Sequence, residues 1–87
     1  MKLGIYSLEK VLYHGEAVLV NCQTAAGEIT ILDHHRPLIS ILRKGVIKVL
    51  DKNEKEYYIE ASSGFLNVSK TKEGSQIKIL IEKEGKL

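Results

Sequence analysis

A single cysteine, Cys22, stands in a chain of 87 residues, so no intramolecular disulfide can close, and there is no CxxC pair for redox work or a thiolate metal site. Tryptophan is absent, and phenylalanine and proline occur once each, as Phe65 and Pro37. No window approaches the roughly 20 apolar residues that a membrane helix needs, and the opening Met1-Lys2-Leu3-Gly4-Ile5-Tyr6 lacks the apolar stretch of a signal peptide. A reducing, cytoplasmic setting is therefore expected, with any work at a membrane done through another protein. Sustained 3.6-residue periodicity is missing too, which confines helix to a turn or so. Without repeats, low-complexity stretches or Gly/Ser linkers, the chain reads as one domain over residues 1–87.

What is present is ordinary for a folded domain. Hydrophobic residues make up 44% and charged residues 28%, far too apolar for a disordered chain. At this size only about 60–65% of the unfolded surface can be buried, so modest stability is expected. The formal net charge is +2, and Lys48, Lys52, Lys55, Lys70, Lys72, Lys78 and Lys83 are scattered rather than massed. Such spacing reads as a solvated outer face that discourages unwanted strand pairing, and no nucleic-acid partner is expected.

The apolar residues come in short runs, rich in β-branched and aromatic types and bounded by turn formers. The expected strands are 3–6, 10–14, 16–21, 28–31, 38–42, 45–50, 56–61, 64–68 and 76–81. Alternation is clearest at Val46-Ile47-Lys48-Val49, Tyr58-Ile59-Glu60-Ala61 and Ile77-Lys78-Ile79-Leu80-Ile81-Glu82, giving one wet face and one dry. Turns are marked by Gly15, Ala26-Gly27, Lys44-Gly45, Asp51-Lys52-Asn53-Glu54, Ser63-Gly64 and Lys72-Glu73-Gly74. Pro37 can open the strand that follows it without costing a ladder hydrogen bond. This cadence predicts an all-β fold, a two-sheet antiparallel β-sandwich of about nine or ten short strands.

Reactive side chains are few and badly spaced for chemistry. His34 and His35 are adjacent, and in extended chain neighbours point to opposite faces, so they can share an ion only in a bent loop. Cys22 lacks a nucleophile-elbow context and reads as a small buried hydrophobe. Gly27 and Gly45 are isolated, with no Gly-Lys-Ser or Gly-Lys-Thr to make a phosphate loop. Glu54, Glu56, Glu82 and Glu84 sit among lysines and need no role beyond solvation. Glu28 differs, because it lies beside Ile29 and Ile31 and close to His34, His35 and Arg36. This segment concentrates apolar and charged groups in an expected strand and the loop that follows it, and loops carry function more often than strands do.

The same segment, Gly27-Glu28-Ile29-Thr30-Ile31-Leu32-Asp33-His34-His35-Arg36-Pro37-Leu38, resembles the stretch Gly-Glu-x-Gly-Ile-Leu-Pro-x-His-x-Pro-Leu of the epsilon subunit of F-type ATP synthases. Flanking similarity is collinear. Ser7-Leu8-Glu9-Lys10 resembles an opening Ser/Thr-Pro-Glu, Leu42-Arg43-Lys44-Gly45-Val46 a Leu-x-x-Gly-Val step, and Ser62-Ser63-Gly64-Phe65-Leu66-Asn67-Val68 a Ser-Gly-Gly-Phe-Leu-Glu-Val strand; Ile77-Lys78-Ile79-Leu80 resembles a closing Val-Thr-Ile-Leu. Four departures stand out: Leu8 for proline, Gln23-Thr24 for Pro-Gly, Thr30 for glycine and Asp33 for proline.

The resemblance implies a β-sandwich at the foot of a rotor's central stalk, packed on the gamma subunit and resting on the polar loops of the c-ring. It implies no catalytic group, cofactor or metal, no insertion into the membrane, and a peripheral position on the cytoplasmic face of a bacterial plasma membrane. The implied ring contact is the Glu28 to His35 loop, through Glu28, Ile29, Thr30, Ile31, His34 and His35. Family members usually continue into two regulatory helices; the chain here stops at Leu87, so hairpin inhibition and nucleotide binding are not expected of these residues. Two other readings stay open: a free-standing interaction module, suggested by the loop departures, and a metal or enzyme site on Cys22, His14, His34 and His35.

Overall fold

A computed structural model describes residues 1–82; residues 83–87, which hold Lys83, Glu84 and the end of the expected domain, lie outside the described residues. The described chain forms nine strands: β1 (Lys2–Tyr6), β2 (Val11–Glu16), β3 (Leu19–Thr24), β4 (Gly27–Leu32), β5 (Leu38–Leu42), β6 (Gly45–Leu50), β7 (Glu56–Ala61), β8 (Gly64–Thr71) and β9 (Gly74–Ile81). For β5, β6 and β7 the sequence expectation coincides with the structure. Elsewhere the ends move. Glu16 closes β2 instead of opening β3, because the chain turns a corner at Ala17 and Val18, whose amides donate to the carbonyls of Met1 at 2.9 Å and Leu50 at 2.7 Å.

Two hairpins share one turn chemistry that their sequences differ enough to hide. In Thr24-Ala25-Ala26-Gly27 the Thr24 hydroxyl donates to the Gly27 carbonyl at 2.8 Å and accepts from the Ala26 amide at 3.1 Å. In Thr71-Lys72-Glu73-Gly74 the Thr71 hydroxyl donates to Gly74 at 2.9 Å and accepts from Glu73 at 3.2 Å. Both end on a glycine at positive φ, 114° and 118°, where a Cβ would be strained. The tight second turn lets β8 and β9 run longer than the expected 64–68 and 76–81.

Pairing divides the strands into two layers. One has the order β2-β1-β9-β8-β5 and the other β4-β3-β6-β7, joined by the bridge between Thr24 and Leu42. All pairings are antiparallel except β1 with β9, first strand beside last. The far ends of this path, β2 and β7, are brought together by Tyr13 and Tyr57, whose rings meet edge-on at 5.2 Å and 72°. The sandwich is thereby nearly closed, like a barrel, a geometry that leaves few open edges.

Period-two alternation fills the space between the layers. Leu3, Ile5, Leu42, Leu66, Val68, Ile77, Ile79 and Ile81 face in from one sheet, and Val20, Cys22, Ile31, Ile47, Val49, Ile59 and Ala61 from the other, as one cluster. Cys22 is fully buried, and desolvation pushes its thiol up to about 11. It behaves as a small hydrophobe rather than a nucleophile.

Candidate functional site

The Glu28 to His35 segment, a contact loop by resemblance, is mostly strand, as the expected strand at 28–31 requires. Residues 27–32 form β4, at the edge of its sheet, and only Asp33, His34 and His35 belong to the turn before β5. Thr30 therefore needs no positive φ where the family stretch has glycine. It pairs with Asn21 in the ladder, and the Asn21 side-chain amide donates to the Thr30 hydroxyl at 2.9 Å.

Strand geometry sorts the expected contact residues onto two faces. Glu28, Thr30 and Leu32 point outward, opposite Gln23, Asn21 and Leu19 of β3. Ile31 points inward and is 0% exposed, and Ile29 packs half-buried against the same core. Ile31 is thus a core residue rather than a surface anchor, and Ile29 presents only part of its side chain to solvent. The apolar group that does face out is Leu32, 53% exposed. Sequence reasoning missed it by ending the strand at Ile31; one more residue of alternation would have placed Leu32 beside Glu28 and Thr30.

Electrostatics leave Glu28 available. Its carboxylate has no hydrogen-bond or ion-pair partner among the described residues. The turn is more committed. His34 sits at φ 65°, a left-handed conformation that histidine tolerates better than bulky residues do. Its amide donates to Asp33 Oδ1 at 2.9 Å, and its Nε2 lies 3.7 Å from Asp33 Oδ2. His35 Nδ1 contacts the Arg36 carbonyl oxygen at 2.7 Å. A carbonyl oxygen only accepts, so that nitrogen carries the proton, and Nε2 is an acceptor in the neutral ring. His35 can donate to a partner only when protonated, a narrower role than its residue type suggests.

The histidines and the cysteine do not converge. Cys22 is in the core, His14 lies on β2 in the other sheet, and His34 and His35 are at the turn; among the described residues no group of three or more His, Cys, Asp or Glu is placed to hold a metal ion.

With this geometry in view, comparison decides the family. A model of the ATP synthase, Delta/Epsilon chain, beta-sandwich domain matches residues 1–83. The chain belongs to this family. Similar relatives are the ATP synthase epsilon chain of Brevibacillus brevis, 30% identical over 94% of this chain and 59% of that protein, and that of Corynebacterium glutamicum, 36% identical over 78% and 56%. This member of the family thus spans about half the length of the curated relatives it matches. A chain of the Euglena gracilis mitochondrial ATP synthase, solved with OSCP, F1 and c-ring, shares the fold at a TM-score of 0.84 and 18% identity, covering 95% of this chain and 51% of that one. A chain from the central stalk and c-ring of the Tetrahymena thermophila enzyme does so at 0.79 and 11%, covering 98% and 65%.

Proposed function

We propose that the chain is the β-sandwich of an ATP synthase epsilon-type rotor subunit, a non-catalytic coupler that carries rotation of the ion-driven c-ring to the gamma subunit and so to ATP synthesis elsewhere. The family match over residues 1–83 is the observation that carries this reading. In it the protein works peripherally, at the cytoplasmic face of a bacterial plasma membrane. The ring-facing surface is the outer edge of β4 with its turn: Glu28 offers an unpaired carboxylate to basic or amide groups, Leu32 an apolar contact, and Thr30 and His35 hydrogen-bonding groups. Such mixed patches are typical of interfaces.

The gamma subunit is assigned to the outer face of the other sheet. Ile41, Phe65 and Leu80 lie directly opposite one another on β5, β8 and β9, forming an exposed apolar row across three strands. Ile39 extends it along β5, and Leu8 walls a groove of about 350 Å³ beside Phe65. A contiguous apolar patch of this kind marks a docking surface. The two surfaces belong to different sheets, as a part that passes torque from one body to another requires.

Charge reversal tests the ring-facing assignment. In an assembled synthase, Glu28→Lys is expected to reduce ATP synthesis per ion translocated while changing the stability of the domain by no more than about 0.5 kcal/mol, as exposed substitutions do. Parallel loss of coupling and stability, or coupling left intact, would contradict the assignment.

A further inference from the structure

Asp33 stands where the family stretch has proline, and the two residues order a turn by different means. Proline fixes its own φ, a local restraint. Asp33, in the turn that carries the chain from β4 to β5, makes a contact distant in sequence: its Oδ1 accepts the amide of Ser75, at the start of β9, at 2.9 Å, across 42 residues. The same oxygen accepts the His34 amide at 2.9 Å. One carboxylate oxygen therefore holds the turn's left-handed residue and the far hairpin together.

The far side is shaped to admit it. Gly74 sits at φ 118°, and a Cβ there would come within 2.8 Å of Asp33 Oδ1. Ser75 is buried, yet its own hydroxyl has no partner among the described residues, so the link is made by the backbone amide and not by the serine side chain. β9 then runs from Ser75 to Leu80, the residue that enters the exposed apolar row. A continuous covalent and hydrogen-bonded line connects the turn after Glu28's strand to the opposite sheet's outer face.

We propose that Asp33 is a positioning residue: it pins the turn between β4 and β5 to β9, so that His35 and the Glu28 edge are held against load and displacement at that edge passes to the strand bearing Leu80. The proposal rests on the ring-facing reading of the β4 edge. A merely structural aspartate would lower affinity for both partners alike when removed; a positioning aspartate affects the ring contact and spares the gamma contact.

Three variants of the full chain decide it: Asp33→Ala removes the link, Asp33→Asn keeps a carbonyl oxygen that can still accept from Ser75, and Ser75→Ala leaves the amide in place. Amide hydrogen exchange is read at Ser75 and His34, and affinity is read separately against purified gamma and a detergent-solubilised c-ring. In Asp33→Ala both amides are expected to exchange about tenfold faster, the loss of a charge-assisted bond. Ring affinity falls about threefold to tenfold, the cost of ordering a loosened segment, and gamma affinity stays within twofold. Asp33→Asn restores most of both readouts, and Ser75→Ala matches the parent. Unchanged exchange in Asp33→Ala, or equal loss toward both partners, overturns the proposal. A parent chain that ignores the c-ring sinks the ring-facing reading instead, and exchange alone then decides whether the pin exists.

Discussion

At the scale of single residues, neighbours in sequence do opposite jobs. Ile31 and Leu32 are adjacent and chemically alike, yet one is sealed in the core and the other half exposed. Ile31→Ala is expected to cost about 2–5 kcal/mol in chemical denaturation, the range for truncating a buried aliphatic residue. Leu32→Ala is expected to stay within about 0.5 kcal/mol, its effect appearing only in partner binding. Cys22 makes a second residue-scale prediction. With its thiol pushed up to about 11 and no solvent access, labelling by a thiol reagent at pH 8 should proceed only as fast as the domain opens, and accelerate sharply in denaturant.

Two aspartates contribute to the loss of stability in acid, as does Glu56, whose carboxyl is lowered by the Tyr58 hydroxyl and then by Lys48. Asp33 is held below the usual carboxylate range by the Ser75 amide first and then the His34 amide, and Asp51 by the amides of Lys55 and then Asn53 with the Tyr57 hydroxyl. The folded state therefore binds their protons more weakly than the unfolded state does. Their stabilisation is complete above the ordinary aspartate value of 3.8 and is lost as pH falls through the lower folded values. Melting temperature is expected to hold from pH 7 to about 5 and drop below about 4, and Asp33→Ala is expected to flatten part of that drop.

At the scale of elements, most of the fold was legible. β5, β6 and β7 announce themselves because Pro37, Gly45 and the Asp51-Lys52-Asn53-Glu54 turn mark their starts or the breaks between them, and β6 and β7 also alternate. What was hidden lay in backbone events without a residue signature. Glu16 looked like the start of a strand because the corner at Ala17 and Val18 is held by backbone bonds to Met1 and Leu50, partners distant in sequence. The parallel pairing of β1 with β9 is invisible for the same reason. Of the proposed site, Glu28, Thr30 and His35 were named through the family stretch, whereas Leu32 and the Asp33–Ser75 bond depend on strand length and tertiary contact. Gly64 offers an element-scale test. A Cβ there would run into the Leu80 carbonyl oxygen of the paired strand, so Gly64→Ala is expected to destabilise the β8–β9 pair by about 1–3 kcal/mol, measured by denaturant titration.

At the scale of the whole molecule, the sandwich separates two outward surfaces with one rigid core. The polar edge of β4 lies in one sheet, the apolar row of Ile41, Phe65 and Leu80 in the other, and between them the interior is filled from both faces. The contact of Tyr13 with Tyr57 ties the two layers together, and the Asp33 link ties the turn between them to β9, an arrangement that suits the proposed coupling role. The most direct measurement of this account is equilibrium binding of the chain to purified gamma subunit, with Phe65→Asp as the comparison. The parent is expected to bind with micromolar or tighter affinity, and Phe65→Asp to lose at least about tenfold, from burying a charge in an apolar contact, while keeping its strand spectrum and cooperative melt. A well-folded parent that does not bind gamma, or a Phe65→Asp variant that binds as well as the parent, would contradict it.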